Sequence, residues 1–369
     1  MSGGHLVHGM GTALEAPTWP AITWAEAQTV LARFPAAGRL IDLNWHSPRP
    51  FSAAALVETD RGIHFLKRHH QRLRTPDALS EEQEFMAHLR AGGLSAPQVV
   101  AADDGAGAIA LGAWTYELHR AAPGIDLYRD RQSWTPFLTP GHAREAGMAL
   151  ARLHRAAQGY AALARGDHAL IASFTILPAR DPLAAAEAYI AARPALAGWL
   201  ADKNWRQELV RLFVALGKEV PDQPPLWTHN DWHPSNLLWT AEGQVASIID
   251  FGLATRTCAL HDLATAIERT GFRWLDLGQE AAIGDVGAAL AMLDGYRTVL
   301  PVDINALVDL LPLVHVEFAL SEIDYFAGIV GDPDQATVAW QEYLIGHAEW
   351  FLCAAGQNFL RRFKQEAPA

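Results

Sequence analysis

The spacing of hydrophobic and polar positions changes character along the chain near residue 120. Before that point five segments have the apolar and β-branched composition of strands: 38–43, 53–59, 63–70, 108–112 and 114–119. The turn signal Asp60-Arg61-Gly62 separates the second strand from the third. Residues 79–93 instead place apolar side chains at helical spacing and end at two glycines. The first third of the chain therefore predicts strands with one main helix.

After Pro123 and Gly124 the pattern is mostly helical, as in residues 142–160 and 315–330. The predicted fold class is α+β with two lobes, a small β-rich lobe with one main helix and a large, mostly helical lobe. The predicted parts are an N-terminal arm with a leading helix, the small lobe and the large lobe: 1–37, 38–119 and 120–369.

Composition excludes several classes of partner and location. Lys and Arg total 29 against 41 Asp and Glu, and the net charge of −12 opposes binding to nucleic acid. No apolar run reaches the roughly 18 residues of a membrane helix, and the N-terminus lacks a signal-peptide pattern. Cys258 and Cys353 form neither a disulfide framework nor a zinc motif. We expect a soluble, cytoplasmic protein with no membrane partner and leave its oligomeric state open.

Candidate chemistry is concentrated in residues 227–239, WTHNDWHPSNLLW, where polar groups alternate with tryptophan and leucine. His229, Asp231 and Asn236 have the spacing H-x-D-x-x-x-x-N, and Asp250 opens a DFG sequence fourteen positions after Asn236. The catalytic loop and DFG segment of protein kinases have this pattern. The pattern predicts phosphoryl transfer.

On these motifs the chain resembles the aminoglycoside phosphotransferase and choline kinase superfamily, which has the protein-kinase-like fold. The resemblance extends from about residue 38 to the helices past 340. Within the superfamily, residues 88–97 and the WTHNDWH loop resemble bacterial homoserine-kinase-like and stress-response-kinase-like phosphotransferases. The resemblance implies ATP and Mg²⁺ as cofactors and a nucleotide-binding small lobe.

The spacing suggests a role for each polar group. Asp231 is the predicted catalytic residue, which would accept the proton of the acceptor hydroxyl or orient that hydroxyl for attack. Asn236 and Asp250 are the predicted Mg²⁺ ligands, because Mg²⁺ prefers oxygen donors and retains several waters. The alternative is that these residues are ordinary turn and cap residues, which Asp and Asn favour.

Other polar residues are predicted to organise the loop. We assign His229 to holding the loop, and we interpret His233 and His154 as structural histidines. Asp262 resembles the aspartate that follows DFG in the family, and the resemblance implies that its carboxylate accepts backbone NH groups of the catalytic loop.

The nucleotide is expected in the small lobe. Lys67 lies near the end of the third strand, where kinase-like folds place the lysine that contacts the α and β phosphates. Glu82 is its predicted helix partner, with Glu81 and Glu84 as alternatives, and Lys67 could instead be a surface lysine. Residues 44–52, NWHSPRPFS, replace the expected glycine-rich phosphate loop.

The adenine is expected to bind backbone groups near the crossing between the lobes, at Glu117, Leu118 and His119.

The acceptor is expected to be small. Asp262 comes only ten positions after Gly252, which leaves no room for the platform on which protein kinases bind a peptide. The pocket candidates are acidic and aromatic residues that suit an amino or quaternary ammonium alcohol, together with one arginine: Trp232, Arg256, Glu268, Trp274, Glu317, Glu322, Asp324 and Tyr325. Of these, Trp232, Arg256, Glu322 and Tyr325 are the predicted substrate residues.

The predicted function is ATP- and Mg²⁺-dependent transfer of the γ-phosphoryl group to a hydroxyl of a small molecule. The acceptor classes are amino alcohols, hydroxy amino acids and aminoglycoside-like compounds. Two alternatives stay open, a serine/threonine protein kinase of the stress-response type and a nucleotide-binding pseudokinase.

Overall fold

In the computed structural model, which describes residues 5–9, 11, 13–166, 168–278 and 283–367, the predicted strands form one sheet. The elements of this part are β1 (Val7–His8), β2 (Leu14–Glu15), α1 (Trp24–Leu31), β3 (Leu40–His46), β4 (Ala53–Thr59), β5 (Gly62–His70), α2 (Pro76–Ala91), β6 (Gln98–Val99), β7 (Ala108–Leu111) and β8 (Trp114–Arg120). The sheet has the order β3-β4-β5-β8-β6, with β7 also paired to β8, and neighbouring strands are antiparallel. β1 and β2 form a separate hairpin.

Local signals in the sequence fix the ends of these elements. Thr23 and Glu26 form a capping box at the start of α1. Thr75 caps α2, and Pro76 occupies the first helical position, where its missing NH costs nothing. Gly62 has a φ of 118°, which the turn between β4 and β5 needs and which a side chain disfavours. The turn keeps β4 and β5 in register along their length.

The core of this part lies between the sheet and α1. Leu66 of β5 and Leu118 of β8 are fully buried together with Val30, Leu31 and Phe34 from α1 and the turn that follows it. Because these side chains come from the central strands and the leading helix, apolar burial fixes the backbone of β5 and β8.

The chain after Gly124 is mostly helical, as predicted. Its helices are α3 (Pro140–Ala156), α4 (Pro182–Ala191), α5 (Pro194–Leu200), α6 (Trp205–Leu216), α7 (Ala259–Thr270), α8 (Val286–Arg297), α9 (Ile304–Leu310), α10 (Val316–Asp324), α11 (Pro333–Val338), α12 (His347–Leu352) and α13 (Ala354–Glu366). Its strands are β9 (Pro225–Thr228), β10 (Leu237–Trp239), β11 (Val245–Ile248) and β12 (Thr255–Cys258). The 3₁₀ turns after Gly124 are Pro234–Asn236, Trp274–Asp276 and Leu311–Leu313, and a further one, Pro35–Ala37, follows α1. The π-helical segments are Tyr325–Val330 and Ala339–Gly346.

The chain forms two compact units, Met1–Gly124 with Ser247–Gly252 and Ile125–Ala246 with Leu253–Ala369. The boundary predicted from the sequence lies after residue 119, and residues 247–252 were predicted to belong to the large lobe. In the structure the first unit continues to Gly124. Residues 247–252 belong to it because the Ser247 hydroxyl bonds the Ser95 hydroxyl at 2.8 Å and Ile248 N donates to Ser95 O at 3.0 Å.

Within the second unit, α3 and α8 pack closely because glycines face the contact. A Cβ at Gly147 would lie 2.0 Å from the Met292 carbonyl oxygen, and a Cβ at Gly295 would lie 1.8 Å from the Arg144 carbonyl oxygen. Only glycine therefore fits at either position. The close contact brings His154 of α3 within 2.7 Å of the Tyr296 hydroxyl of α8.

The stretch Ile304–Val330, which includes α9 and α10, is long and apolar enough to cross a membrane by length and composition alone. This run was not predicted from the sequence, because Glu317 and Glu322 interrupt it. Its mean hydropathy is 1.5, but 83% of the apolar window is buried inside the protein. The stretch therefore packs as core helix of the second unit.

Candidate active site

Residues 229–236 form a loop after β9, which pairs antiparallel with β12. Asn230 has a φ of 60°, a left-handed conformation that asparagine tolerates better than most residues. Its side-chain oxygen accepts hydrogen bonds from the Thr228 hydroxyl at 3.0 Å and the Thr257 hydroxyl at 3.2 Å. The two strands thus fix the turn that presents Asp231.

Asp262, near the start of α7, holds the loop from within the second unit. Its carboxylate is fully buried and accepts the backbone NH of His229 at 2.9 Å and of Asn230 at 2.8 Å. The same carboxylate is hydrogen-bonded to His154 Nε2 at 2.9 Å, and His154 Nδ1 is hydrogen-bonded to the Tyr296 hydroxyl at 2.7 Å. Burial raises the pKa of Asp262, but these hydrogen bonds and the histidine charges outweigh burial and lower it. These backbone contacts are the ones that the family resemblance implied for Asp262.

Asp231 is held on both carboxylate oxygens. Oδ1 accepts Arg269 Nη1 at 2.5 Å, and Oδ2 accepts Asn236 Nδ2 at 3.0 Å and lies 3.5 Å from His233 Nε2. Burial raises the pKa of Asp231, but the charges of His233 and Arg269 outweigh it and hold the pKa well below its ordinary value. The carboxylate is therefore ionised and weakly basic.

Arg269 is a site residue that the sequence analysis missed. Its guanidinium is 1% exposed, donates to Asn230 O at 2.8 Å and lies 4.6 and 4.8 Å from the ring centres of Trp134 and Phe318. Arg269 and Asp262 are seven residues apart on α7 and so share one helix face. This spacing could have identified Arg269 in the sequence. The face of α7 that carries Asp262 contacts the loop, so a residue seven positions later on the same face also faces the loop.

In the first unit, Lys67 and Asp250 come together. Lys67 Nζ lies 2.8 Å from Asp250 Oδ1, and burial, which lowers the pKa of Lys67, is outweighed by the charge of Asp250, so the pKa is raised. Asp250 has a φ of 57°, and Phe251 after it packs on Phe85 of α2 at 6.0 Å between ring centres. Glu82, the predicted partner, is buried on α2 and its charge also raises the pKa of Lys67.

The structure corrects the predicted adenine contacts at Glu117, Leu118 and His119. These residues lie inside β8, which pairs with β5 on one side and with β6 and β7 on the other. The Leu118 carbonyl accepts Val100 N at 2.8 Å, so the backbone is already used by the sheet. The chain leaves the sheet after Ala121, whose backbone NH donates to the Ile63 carbonyl at 3.2 Å.

The loop between β3 and β4 is braced by the N-terminal hairpin. His5 Nε2 lies 3.1 Å from Ser47 O, His8 N donates to Pro48 O at 2.8 Å, and Arg49 Nη1 lies 3.0 Å from His8 Nδ1. The loop contains no glycine, so contacts with the N-terminal residues fix its backbone where flexible glycines were expected.

Comparison with known families decides the assignment of this site. The family model described as the phosphotransferase enzyme family, APH, matches residues 50–301. The chain belongs to the phosphotransferase enzyme family. The matched range contains Lys67, Asp231, Asn236 and Asp250, and the chain is an enzyme, a kinase of the phosphotransferase type.

Relatives of this phosphotransferase include kinases with small substrates in their names. A homoserine kinase of Xanthobacter autotrophicus is 27% identical over 248 residues, which cover 67% of this chain and 68% of the relative. A microcompartment-associated aminopropanol kinase has a TM-score of 0.57 at 20% identity, with 91% of this chain and all of that chain covered. An amicoumacin kinase in complex with AMP-PNP and Ca²⁺ has a TM-score of 0.53 at 14% identity, with 92% and 94% covered. The predicted protein-kinase-like fold is confirmed.

The donor groups of the phosphotransferase fit the expected cation. The amide nitrogen of Asn236 donates to the Asp231 carbonyl at 2.9 Å and to the Asp231 carboxylate at 3.0 Å, so the amide oxygen is the atom that this side chain could offer to a cation. Asp250 offers a carboxylate. Carboxylate and amide oxygens are the ligands that Mg²⁺ prefers, so both residues suit the role predicted for them.

A second set of candidate ligands is a hydrogen-bonded network. Among the described residues, Glu268, His315 and His347 are the group whose ligand atoms lie within 4.8 Å of one another. His347 Nδ1 and Glu268 Oε1 are 2.7 Å apart, whereas two ligands of a tetrahedral ion with bonds of about 2.0–2.1 Å lie roughly 3.3 Å apart. The pair is therefore bonded directly, and the geometry does not indicate a metal centre.

The predicted acceptor residues fall into different environments. Glu268 and Glu322 lie within charge-interaction range of Arg269, and Glu322 also lies within range of Asp231. Glu317 instead accepts the backbone NH groups of residues 175 and 176, and Asp324 accepts the NH of residue 196, so both stabilise loops. The remaining candidates are structural in their contacts: Trp232 is fully buried against His229, Arg256 lies on β12, Trp274 stacks on His347, and Tyr325 packs on Phe326.

Proposed function

We propose that the chain transfers the γ-phosphoryl group of ATP, with Mg²⁺, to a hydroxyl group of a small molecule. The observation that carries the proposal is the Asp231 carboxylate, which is ionised and fixed by Arg269 and Asn236 on a loop that Asp262 holds. Homoserine kinase and aminopropanol kinase among the relatives support an amino alcohol or a hydroxy amino acid as acceptor, and an aminoglycoside-like compound is the third class.

In this proposal each residue acts by position and charge. Asp231 accepts a hydrogen bond from the acceptor hydroxyl and aims its oxygen at the γ phosphorus, which supplies the orientation on which in-line transfer depends. The new O–P bond replaces the bond to the β-phosphate oxygen, ADP leaves, and the hydroxyl proton is lost to solvent. Lys67 would bind the α and β phosphates, and Asn236 and Asp250 would each offer one oxygen to Mg²⁺. Bound ATP and Mg²⁺ supply the phosphoryl group and the charge that neutralises its oxygens.

The fold after DFG favours a small acceptor over a protein. Residues 255–258 form β12, which pairs with β9, and Cys258 caps α7 directly afterwards. The segment that is long in protein kinases is here a strand and a helix start, which supports the small-molecule proposal over the protein-kinase alternative. Cys258 and the exposed Cys353 are both free thiols, and we propose a cytoplasmic location on that basis.

Incubation with γ-labelled ATP and two acceptor pools tests the proposal. One pool holds amino alcohols, hydroxy amino acids and aminoglycosides, and the other holds unfolded proteins. We expect label in the first pool only, and we expect Asp231→Asn to lower the rate of labelling by on the order of 100-fold or more. Label in the protein pool alone would replace the proposal with a protein kinase, and binding of ATP without transfer to either pool would indicate a pseudokinase.

A further inference from the structure

The backbone at Trp134 has a conformation that a bulky side chain rarely adopts. Its φ is 55°, in the left-handed region, where asparagine and aspartate are tolerated better than an aromatic residue. In the part of the chain that the structure describes, the other non-glycine residues with positive φ are Leu170, Phe174, Asn230 and Asp250. Asn230 and Asp250 belong to the catalytic loop and the DFG segment. A strained backbone persists only where its surroundings hold it, so the contacts of Trp134 should show what it does.

The contacts of the Trp134 ring lead to Arg269. The ring centre lies 4.6 Å from the guanidinium carbon of Arg269, within the range of a cation–π interaction. It also lies 5.1 Å from the ring centre of Tyr343 and 5.8 Å from that of Phe318. The Phe318 ring centre lies 4.8 Å from the same guanidinium. The rings of Trp134 and Phe318 thus cover the buried charge of Arg269.

The loop that carries Trp134 is fixed at both ends. Near its start, Ile125 and Trp239 exchange two backbone hydrogen bonds, at 2.8 and 2.9 Å. Near its end, Leu138 N donates to the Tyr128 hydroxyl at 2.9 Å, and Tyr128 is fully buried. These anchors do not involve the side chain of Trp134. A substitution at Trp134 therefore removes the indole ring while both anchors remain.

The cover over Arg269 matters because this arginine is the cation that holds Asp231. The ion pair joins Arg269 Nη1 to Asp231 Oδ1 at 2.5 Å, with 1% of the arginine side chain and 17% of the aspartate side chain exposed. An ion pair open to water is weakened by solvent and salt, whereas a pair from which water is excluded keeps its strength and its geometry. Trp134 therefore acts on Asp231 through Arg269, while Asp231 keeps an accessible fraction for an acceptor hydroxyl.

We propose that Trp134 is a positioning residue for phosphoryl transfer, which covers the Arg269 guanidinium, excludes water from it and so fixes the Asp231 carboxylate at which the acceptor hydroxyl binds. The proposal rests on the proposed function, in which Asp231 orients that hydroxyl. Tryptophan suits the role because its ring attracts a cation more strongly than the rings of tyrosine and phenylalanine do. The left-handed φ of Trp134 is the backbone conformation that places this ring over Arg269.

The first test uses the protein alone. Phenylglyoxal modifies arginine side chains, and mass spectrometry of the peptide that contains Arg269 gives the rate at that residue. Modification of a buried group needs local opening, so loss of the indole ring in Trp134→Gly and Trp134→Ala should speed it by on the order of 10-fold. Trp134→Phe keeps an aromatic ring and should react nearly as slowly as wild type. Trp205→Ala, which removes an indole ring 5.0 Å from Arg206, is the matched control and should leave the rate at Arg269 unchanged.

The second test separates positioning from stability. Below the melting temperature of every variant, kcat of Trp134→Gly should fall by on the order of 10-fold while KM for ATP stays within about twofold, because the substitution acts on Asp231 and not on Lys67. Trp134→Phe should recover most of the lost kcat, and Trp205→Ala should keep the wild-type kcat. Trp134→Gly should melt at or above Trp134→Ala, because glycine adopts a φ of 55° without strain and alanine does not.

Four results would contradict these claims. Arg269 that stays as unreactive in the folded Trp134→Gly and Trp134→Ala variants as in wild type would overturn the cover by Trp134. Faster modification with unchanged kcat would overturn the positioning role and leave the proposed function intact. A Trp134→Ala variant that melts above Trp134→Gly would contradict the left-handed backbone. If wild type phosphorylates no acceptor, the proposed function fails, and the modification rates still decide whether Trp134 covers Arg269.

Discussion

The contact between Arg269 and Asp231 gives the sharpest mutational prediction. Arg269→Met keeps the aliphatic stem between Trp134 and Phe318 but removes a buried ion pair of 2.5 Å and the hydrogen bond to Asn230 O. Leaving one partner of a buried pair costs about 3–5 kcal/mol in the free energy of unfolding. For a unit of this size that loss lowers the melting temperature by roughly 6–20 °C.

The pH dependence of turnover separates positioning from mere stability. Arg269 is one of the charges that hold the pKa of Asp231 down, while burial acts to raise it. In Arg269→Met the pKa of Asp231 should rise, so the fall of kcat on the acid side should begin at higher pH than in wild type. Arg269→Lys keeps the positive charge but loses the planar guanidinium with its several NH donors. This variant should keep the wild-type pH profile with a reduced kcat.

The measurement is kcat against pH for wild type and both variants at a temperature where all three are folded. An Arg269→Met profile with the same shape as wild type, scaled down at every pH, would refute the claim that Arg269 controls the ionisation of Asp231. Arg269 would then be a structural residue of α7 alone.

Three further results are expected. Asp262→Ala leaves the backbone NH groups of His229 and Asn230 unpaired, so melting temperature and turnover should fall together. Each buried donor left unpaired costs about 1–3 kcal/mol in the free energy of unfolding. A variant that melts like wild type but has lost turnover would indicate that Asp262 contacts a ligand. Excess chelator should stop transfer and Mg²⁺ should restore it, and undiminished turnover in chelator would disprove a metal requirement. The pKa of Glu322 is raised on folding, so the stability that this residue contributes is fully present below pH 4.5 and is lost as the pH rises to about 8. The loss amounts to at most about 1.4 kcal/mol per pH unit in the free energy of unfolding. The stability of Glu322→Gln, measured by melting curves, should lack this pH dependence, and an equal pH dependence would contradict the raised pKa.

Short-range patterns were sufficient to predict much of the fold. Strand β4 spans the predicted residues 53–59, and β5 differs from its prediction by one residue, because alternation and the turn at Gly62 are local signals. The end of the first unit was harder to predict from the sequence. The apolar pattern of 114–119 does not show that both edges of β8 are paired, and that pairing removed Glu117 to His119 from the adenine contacts.

The site was predictable where its residues share one motif. His229, Asp231 and Asn236 lie in a single loop, and their spacing was visible in the sequence. Arg269 was missed because its contact with Asp231 depends on the rotation of α7 relative to the loop, which tertiary packing decides. The same holds for the acidic candidates, since only the folded chain distinguishes Glu317, which caps a loop, from Glu322, which has no partner among the described residues.

The central claim is that Asp231 orients the acceptor hydroxyl and does not bind the nucleotide. The most direct test measures phosphoryl transfer and ATP affinity in Asp231→Asn, which keeps the shape of the side chain and removes its charge. We predict that kcat falls by on the order of 100-fold or more while the dissociation constant for ATP with Mg²⁺ stays within about twofold of wild type. Loss of ATP affinity in step with turnover would contradict the account and would make Asp231 a ligand of the nucleotide-bound metal.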